Sequence, residues 1–136
     1  MITIDDVKLL KLNQYTDSEG SLVPVESNLD IPFKIERIFY VYGVHNQTDR
    51  GEHGHYKTEQ ILICLNGNVQ VLCDDGKNKR EWKLDNPTEA LYIPNLIWDE
   101  QVYLTPDSIL LVIANTKYDE SDYITSYEQF RRIKNE

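Results

Sequence analysis

The chain is short of positive charge. Its 136 residues carry 14 lysines and arginines against 23 aspartates and glutamates, giving a net charge of −9 and a pI near 4.7. A surface of that sign repels nucleic-acid polymers and anionic membranes, so neither is an expected partner. A small anion is still admissible, provided a local arginine receives it, and Arg50 is the natural candidate. Long apolar runs are missing as well, which excludes a transmembrane helix. The first residues, Met1-Ile2-Thr3-Ile4-Asp5-Asp6, lack the basic and apolar parts of a signal peptide, and a cytoplasmic location is the expectation. Cysteine is limited to Cys64 and Cys73. A hairpin turned over residues 66–68 would set Cys64 against Gln70, so two buried, reduced thiols are expected instead of a disulfide. No repeat, low-complexity tract or linker divides the chain, and its length suits one domain, 1–136, with a real core.

What is present is a series of short apolar runs, at 7–12, 22–25, 34–44, 59–65, 68–72, 80–84, 90–93, 100–104 and 109–115. Turn chemistry separates them: Asp17-Ser18-Glu19-Gly20, Asn66-Gly67, Asp74-Asp75-Gly76, Asn86-Pro87, Pro94-Asn95 and Thr105-Pro106-Asp107. Strands at such spacing predict an all-β sandwich or barrel. Only 126–134 reads as a helix, with Tyr127, Phe130 and Ile133 at helical spacing.

Two of the three histidines alternate, in Arg50-Gly51-Glu52-His53-Gly54-His55. At period 2 they share one face of a strand. The third, His45, lies in the polar stretch His45-Asn46-Gln47-Thr48-Asp49 and is expected to be exposed. His-x-His on a strand, with an Asn-Gly turn downstream, resembles the way cupin barrels aim two imidazoles into their lumen. The metal-binding cupin pattern adds a glutamate separated by six residues from a glycine, and a last histidine five residues after a proline. Counting back from Gly67 lands on Gln60, not Glu59, and counting on from Pro94 lands on Asp99. A neutral amide is a poor substitute for an anionic ligand. The step from His55 to Gln60 changes parity, so the chain must turn or bulge between them. A slip of one residue would restore Glu59 as a ligand, which keeps a metal-dependent enzyme using His53, His55, Glu59 and Asp99 as an alternative. The metal-free reading is preferred: a pair of imidazoles that titrate near neutrality suits abstraction of a proton α to a carbonyl. The plain alternative is that His53 and His55 are hydrogen-bonded barrel residues.

Further segments make a family resemblance specific: Arg37-Ile38-Phe39-Tyr40, Glu59-Gln60, Leu91-Tyr92-Ile93-Pro94, Trp98-x-Glu100 and Tyr118-Asp119-Glu120-Ser121-Asp122-Tyr123-Ile124. With the Arg-Gly-x-His-x-His segment and Asp74-Asp75-Gly76, in this order and spacing, the chain from about residue 12 to 130 resembles the sugar-nucleotide 3,4-ketoisomerases. These are small cupins similar to the C-terminal part of WxcM-type proteins. The resemblance implies a cupin jelly-roll barrel with a short C-terminal helix, no cofactor and no metal. It implies a thymidine-diphosphate (TDP)-linked 4-keto-6-deoxyhexose as substrate, converted to the 3-keto isomer for 3-amino-3,6-dideoxy sugars of surface polysaccharide. It further implies a homodimer with exchanged N-terminal strands.

On this reading one of His53 and His55 removes the C3 proton, and the other, Tyr40 or Asp99 returns a proton to C4 or shuttles the hydroxyl proton. Gln60 donates to the developing enediolate oxygen, and Arg50 and Arg37 pair with the diphosphate. An aromatic among Tyr40, Tyr92 and Trp98 stacks on thymine or lines the sugar pocket, with barrel packing as the alternative for Tyr92 and Trp98. The chain departs from the family pattern at Glu19, Gly54, Tyr56 and Asp99. Glu19 and Asp99 change charge or chemistry, so altered stereochemistry, another substrate or a non-catalytic sugar-nucleotide-binding cupin stay open.

Overall fold

A computed structural model describes residues 1–45 and 48–136; Asn46 and Gln47, in the polar stretch after His45, lie outside the described residues. Among the described residues, two five-stranded antiparallel sheets face each other in an all-β jelly roll. The first runs in the order β1 (Lys8–Lys11), β9 (Glu89–Ile93), β6 (Gln60–Asn66), β11 (Ile109–Ala114), β4 (Arg37–Tyr42). The second runs β12 (Tyr123–Ile124), β5 (Asp49–His55), β10 (Trp98–Tyr103), β7 (Val69–Asp74), β8 (Lys79–Leu84). A hairpin of β2 (Tyr15–Asp17) and β3 (Gly20–Leu22) belongs to neither sheet.

Alternation along each strand divides the residues between two faces. Leu62, Cys64, Leu91, Leu110 and Val112 of the first sheet meet Val69, Val71, Cys73, Leu84 and Tyr103 of the second in one buried core. The opposite face of the first sheet, with Ile61, Ile63, Ala90 and Ile113, is covered by Leu12, just after β1, and by Ile31 and Phe33 from the long connection between β3 and β4. The helix α1 (Tyr127–Lys134) starts where the Ser126 hydroxyl accepts from the Gln129 amide. Its Phe130, wholly buried, packs with Trp98 and Ile124 on the outside of the second sheet. Burial of such a ring contributes roughly 1.5–3 kcal/mol.

Two sequence expectations change here. The Asn66-Gly67 turn does not close a hairpin: β6 and β7 belong to different sheets, and the turn arches from one to the other. Gly67 takes φ +82°, and a Cβ there would come within 2.6 Å of the Thr105 and Ser108 hydroxyl oxygens, so the arch demands glycine for space as well as conformation. Cys64 therefore does not face Gln70; both cysteines are free and buried in the core. The N-terminal strand β1 pairs with β9, register Lys8 to Tyr92. Among the described residues, no helix is long and apolar enough to cross a membrane.

Candidate active site

One mouth of the barrel is polar. Gln60, Arg37, Phe39 and Val112 from the first sheet and Arg50, Gly51, His53, Gln101 and Tyr123 from the second line a cavity of about 180 Å³. The strand parities explain most of this list. On β4 the odd residues Arg37, Phe39 and Val41 turn inward and the even ones outward.

Strand β5 needs a device, because Arg50 and His53 are an odd number of residues apart and would otherwise face opposite ways. A bulge supplies it. His53 pairs with Asp99 and Gly51 with Glu100, leaving Glu52 as the extra residue. Gly51 adopts φ +89° and Glu52 φ +49°. A Cβ on Gly51 would lie 3.1 Å from the Asp99 carbonyl oxygen. The Arg50-Gly51 pair thus serves to bring a guanidinium and an imidazole to one cavity.

The two imidazoles meet edge to face, with centroids 4.9 Å apart. His53 Nδ1 lies 2.6 Å from the Gly51 carbonyl oxygen. A carbonyl only accepts, so Nδ1 is the donor, and in the neutral ring the lone pair is on Nε2. His55 is buried, and its pKa is pushed down to about 4, by burial first, then by His53 and Arg37, against the opposing pull of Asp122. It is neutral at cellular pH. Asp99 is buried beside His53, where burial pushes its carboxyl up while His53 and the Gln101 amide, donating at 3.0 Å, pull it down. The Tyr103 hydroxyl donates to Gln101 Oε1 at 3.1 Å and completes this chain. Asp99, expected beside both imidazoles, acts on His53, while the carboxylate acting on His55 is Asp122.

Three expected residues lie elsewhere. Tyr40 points outward from β4 and is 64% exposed. Tyr92 sits on the outer face of the first sheet against Phe33, its hydroxyl donating to Glu59. Trp98 packs beneath α1, its ring centroid 5.4 Å from Tyr127 and 5.9 Å from Phe130. In each case strand alternation decides, and Tyr40, Tyr92 and Trp98 fall on the face opposite the cavity. Glu59 is also turned away, bound by Tyr92 and by the Asn115 amide at 2.9 Å, so the slip that would make it a metal ligand does not occur. Gln60 takes the inward place. His45 is exposed. Phe39, Gln101 and Tyr123 were missed. The first two lie two residues from Arg37 and Asp99, so alternation could have found them; Tyr123 lay in the Asp119–Ile124 segment that carried the resemblance.

The family model described as FdtA, WxcM-like, C-terminal matches residues 5–135. The chain belongs to this family. It is 40% identical, over 92% of its length and 90% of the relative's, to the TDP-4-oxo-6-deoxy-alpha-D-glucose-3,4-oxoisomerase of Aneurinibacillus thermoaerophilus. It superposes with a TM-score of 0.94, at 36% identity, on a histidine-to-asparagine variant of the 3,4-ketoisomerase QdtA from Thermoanaerobacterium thermosaccharolyticum, solved with TDP-4-keto-6-deoxyglucose; 98% of this chain and 96% of that one are covered. A TDP-fucose-3,4-ketoisomerase, WlaRA of Campylobacter jejuni, gives a TM-score of 0.91 at 38% identity, covering 96% of both chains. These relatives are named as 3,4-oxoisomerase and 3,4-ketoisomerases of TDP-linked sugars, and each is matched over nearly the whole of this chain.

Proposed function

We propose that this chain is a TDP-4-keto-6-deoxy-D-glucose 3,4-ketoisomerase, working by metal-free proton transfer through an enediolate. The observation that carries the reading is the imidazole pair 4.9 Å apart, in which His53, held through Nδ1 by the Gly51 carbonyl, lines a cavity that also receives Arg37 and Arg50. His53 Nε2 takes the C3 proton, which the C4 ketone acidifies. The C–H electron pair forms the C3–C4 double bond, and the C4 oxygen takes the negative charge. Gln60, buried in the wall, donates to that oxygen. Return of the proton to C4 and loss of the O3 proton leave a C3 ketone and a C4 hydroxyl, with no atom gained or lost. Neutral His55 can donate at one ring nitrogen and accept at the other, which suits the relay from O3 to O4. Asp99 steadies the His53 imidazolium while it lasts. Arg37 and Arg50 pair with the diphosphate through their planar forks.

The enzyme is read as a one-domain cytoplasmic homodimer whose product supplies 3-amino-3,6-dideoxy sugars. In that dimer the N-terminal strands are exchanged, and the β2–β3 hairpin, which belongs to neither large sheet, is one segment available for it.

Proton NMR of the full chain with TDP-4-keto-6-deoxyglucose in deuterated buffer tests the reaction. The 3-keto product should accumulate with deuterium entering at the reacting carbons, and His53→Asn should slow it by roughly 10²–10⁴-fold, the range of a lost acid–base group. Binding of TDP without any turnover would instead make the chain a sugar-nucleotide-binding cupin.

A further inference from the structure

Tyr123 touches both histidines. Its ring centroid lies 4.9 Å from that of His53 and 4.6 Å from that of His55, tilted by 50° and 57°. It lines the cavity beside Arg37 and Gln60. The two imidazoles differ in what else holds them. His53 has its bond to the Gly51 carbonyl. Among the described residues, no hydrogen bond reaches the His55 ring, so packing alone fixes its ring torsion.

Tyr123 is itself firmly placed. Strand β12 pairs it with His55. On one side of it the buried Asp122 carboxylate accepts the Lys57 amide at 2.9 Å, the Thr58 amide at 3.0 Å and the Thr58 hydroxyl, tying the β5–β6 connection down. On the other, Ile124 is fully buried against Trp98 and Phe130. Tyr118 backs the ring at 6.0 Å, and the Arg37 guanidinium lies over Tyr118. A two-residue strand with so many ties is a poor site for motion and a good one for a fixed wall.

We propose that the aromatic ring of Tyr123 is the positioning element of the imidazole pair, holding His53 and His55 in their edge-to-face arrangement while its hydroxyl takes no part in proton transfer. The inference rests on the ketoisomerase reading, in which an imidazole displaced by about 1 Å costs on the order of 10²-fold in rate. Tyr123→Phe keeps the ring, and Tyr123→Leu and Tyr123→Met replace it with flexible apolar groups. In the full chain, the phenylalanine variant should hold kcat within about threefold. The leucine and methionine variants should lose roughly ten- to hundredfold in kcat, with KM nearly unchanged, since ground-state contacts of the substrate survive. A second readout needs no turnover: the pH titration of the His55 ring followed by NMR. The charges facing that ring are His53 on its own strand, Asp122 before β12 and Arg37 on β4, with Asp99 of β10 beyond His53. None is altered, so a midpoint that rises toward 6.5 in the leucine and methionine variants reports opening of the wall. Full kcat in both of those variants, or a phenylalanine variant as slow as they are, overturns the proposal. Should wild type fail to turn over, the ketoisomerase reading falls, and an unmoved His55 titration would then overturn the Tyr123 wall as well.

Discussion

His55 is a basic side chain kept neutral by its surroundings, and that has a consequence for stability. In the unfolded chain its imidazole protonates near pH 6.5, whereas in the fold protonation waits until about 4. Between those values the unfolded state binds the extra proton, so stability rises with pH across this window. The contribution is intact above about 6.5, declines as the pH falls through the window and is lost below about 4. The full displacement amounts to ~3 kcal/mol at about 1.4 kcal/mol per pKa unit. Urea midpoints measured at pH 7.5 and 5.0 should therefore diverge more for wild type than for His55→Asn, which has no proton to refuse. Equal differences in the two proteins would mean that the His55 ring is open to water in the native state.

Strand β5 illustrates how much an element adds to its residues. The alternation of His53 and His55 is legible in the sequence, and so are the turn residues, most of the inner strands and the helix 126–134, observed as Tyr127–Lys134 with Ser126 as its cap. Their spacing is local, and a period of 2 or 3.6 survives without knowledge of partners. What is not local was lost. Whether Asn66-Gly67 closes a hairpin or an arch depends on which sheet β7 joins, a matter of pairing over long distances. Tyr40, Tyr92 and Trp98 carry suitable chemistry, but a side chain's face is set by its strand's register, and one residue of slip reverses it. The short β12 has no hydrophobic period at all, so Tyr123 stayed hidden. The bulge that joins Arg50 to His53 could be suspected only from the glycine. Gly51→Ala tests it. A Cβ there meets the Asp99 carbonyl oxygen at 3.1 Å with the backbone at φ +89°. The expected cost is roughly 1–3 kcal/mol, typical of a strained backbone position, seen as a lower urea midpoint. Turnover should fall further than stability, because relief of the strain rotates Arg50 or His53 out of the cavity. A variant with wild-type midpoint and rate would show that the bulge tolerates a side chain and does not set the site.

At the level of the whole molecule, the outward residues of β4 call for a partner. Ile38, Tyr40 and Tyr42 stand in a row on one face, 56%, 64% and 70% exposed, with the Tyr40 and Tyr42 rings stacked at 6.3 Å. Among the described residues β4 pairs only with β11, so its other edge leaves backbone donors and acceptors open beside this apolar row. An exposed edge of this kind invites pairing with another chain. A second copy is the occupant we infer, since a two-fold axis lets one such patch cover itself. Tyr40, without a place in the cavity, then has one in the interface. Sedimentation at micromolar concentration should give twice the mass of the 15.9 kDa chain. The double variant Ile38→Asp and Tyr42→Asp sets like charges where two apolar faces would meet, and should sediment as a folded monomer with wild-type circular dichroism. The inward residues of the same strand, Arg37 and Phe39, are untouched by it, so any change in rate reports on what the partner lends to the site. A wild-type protein that sediments as a monomer, or a double variant that stays dimeric, would move the interface away from β4.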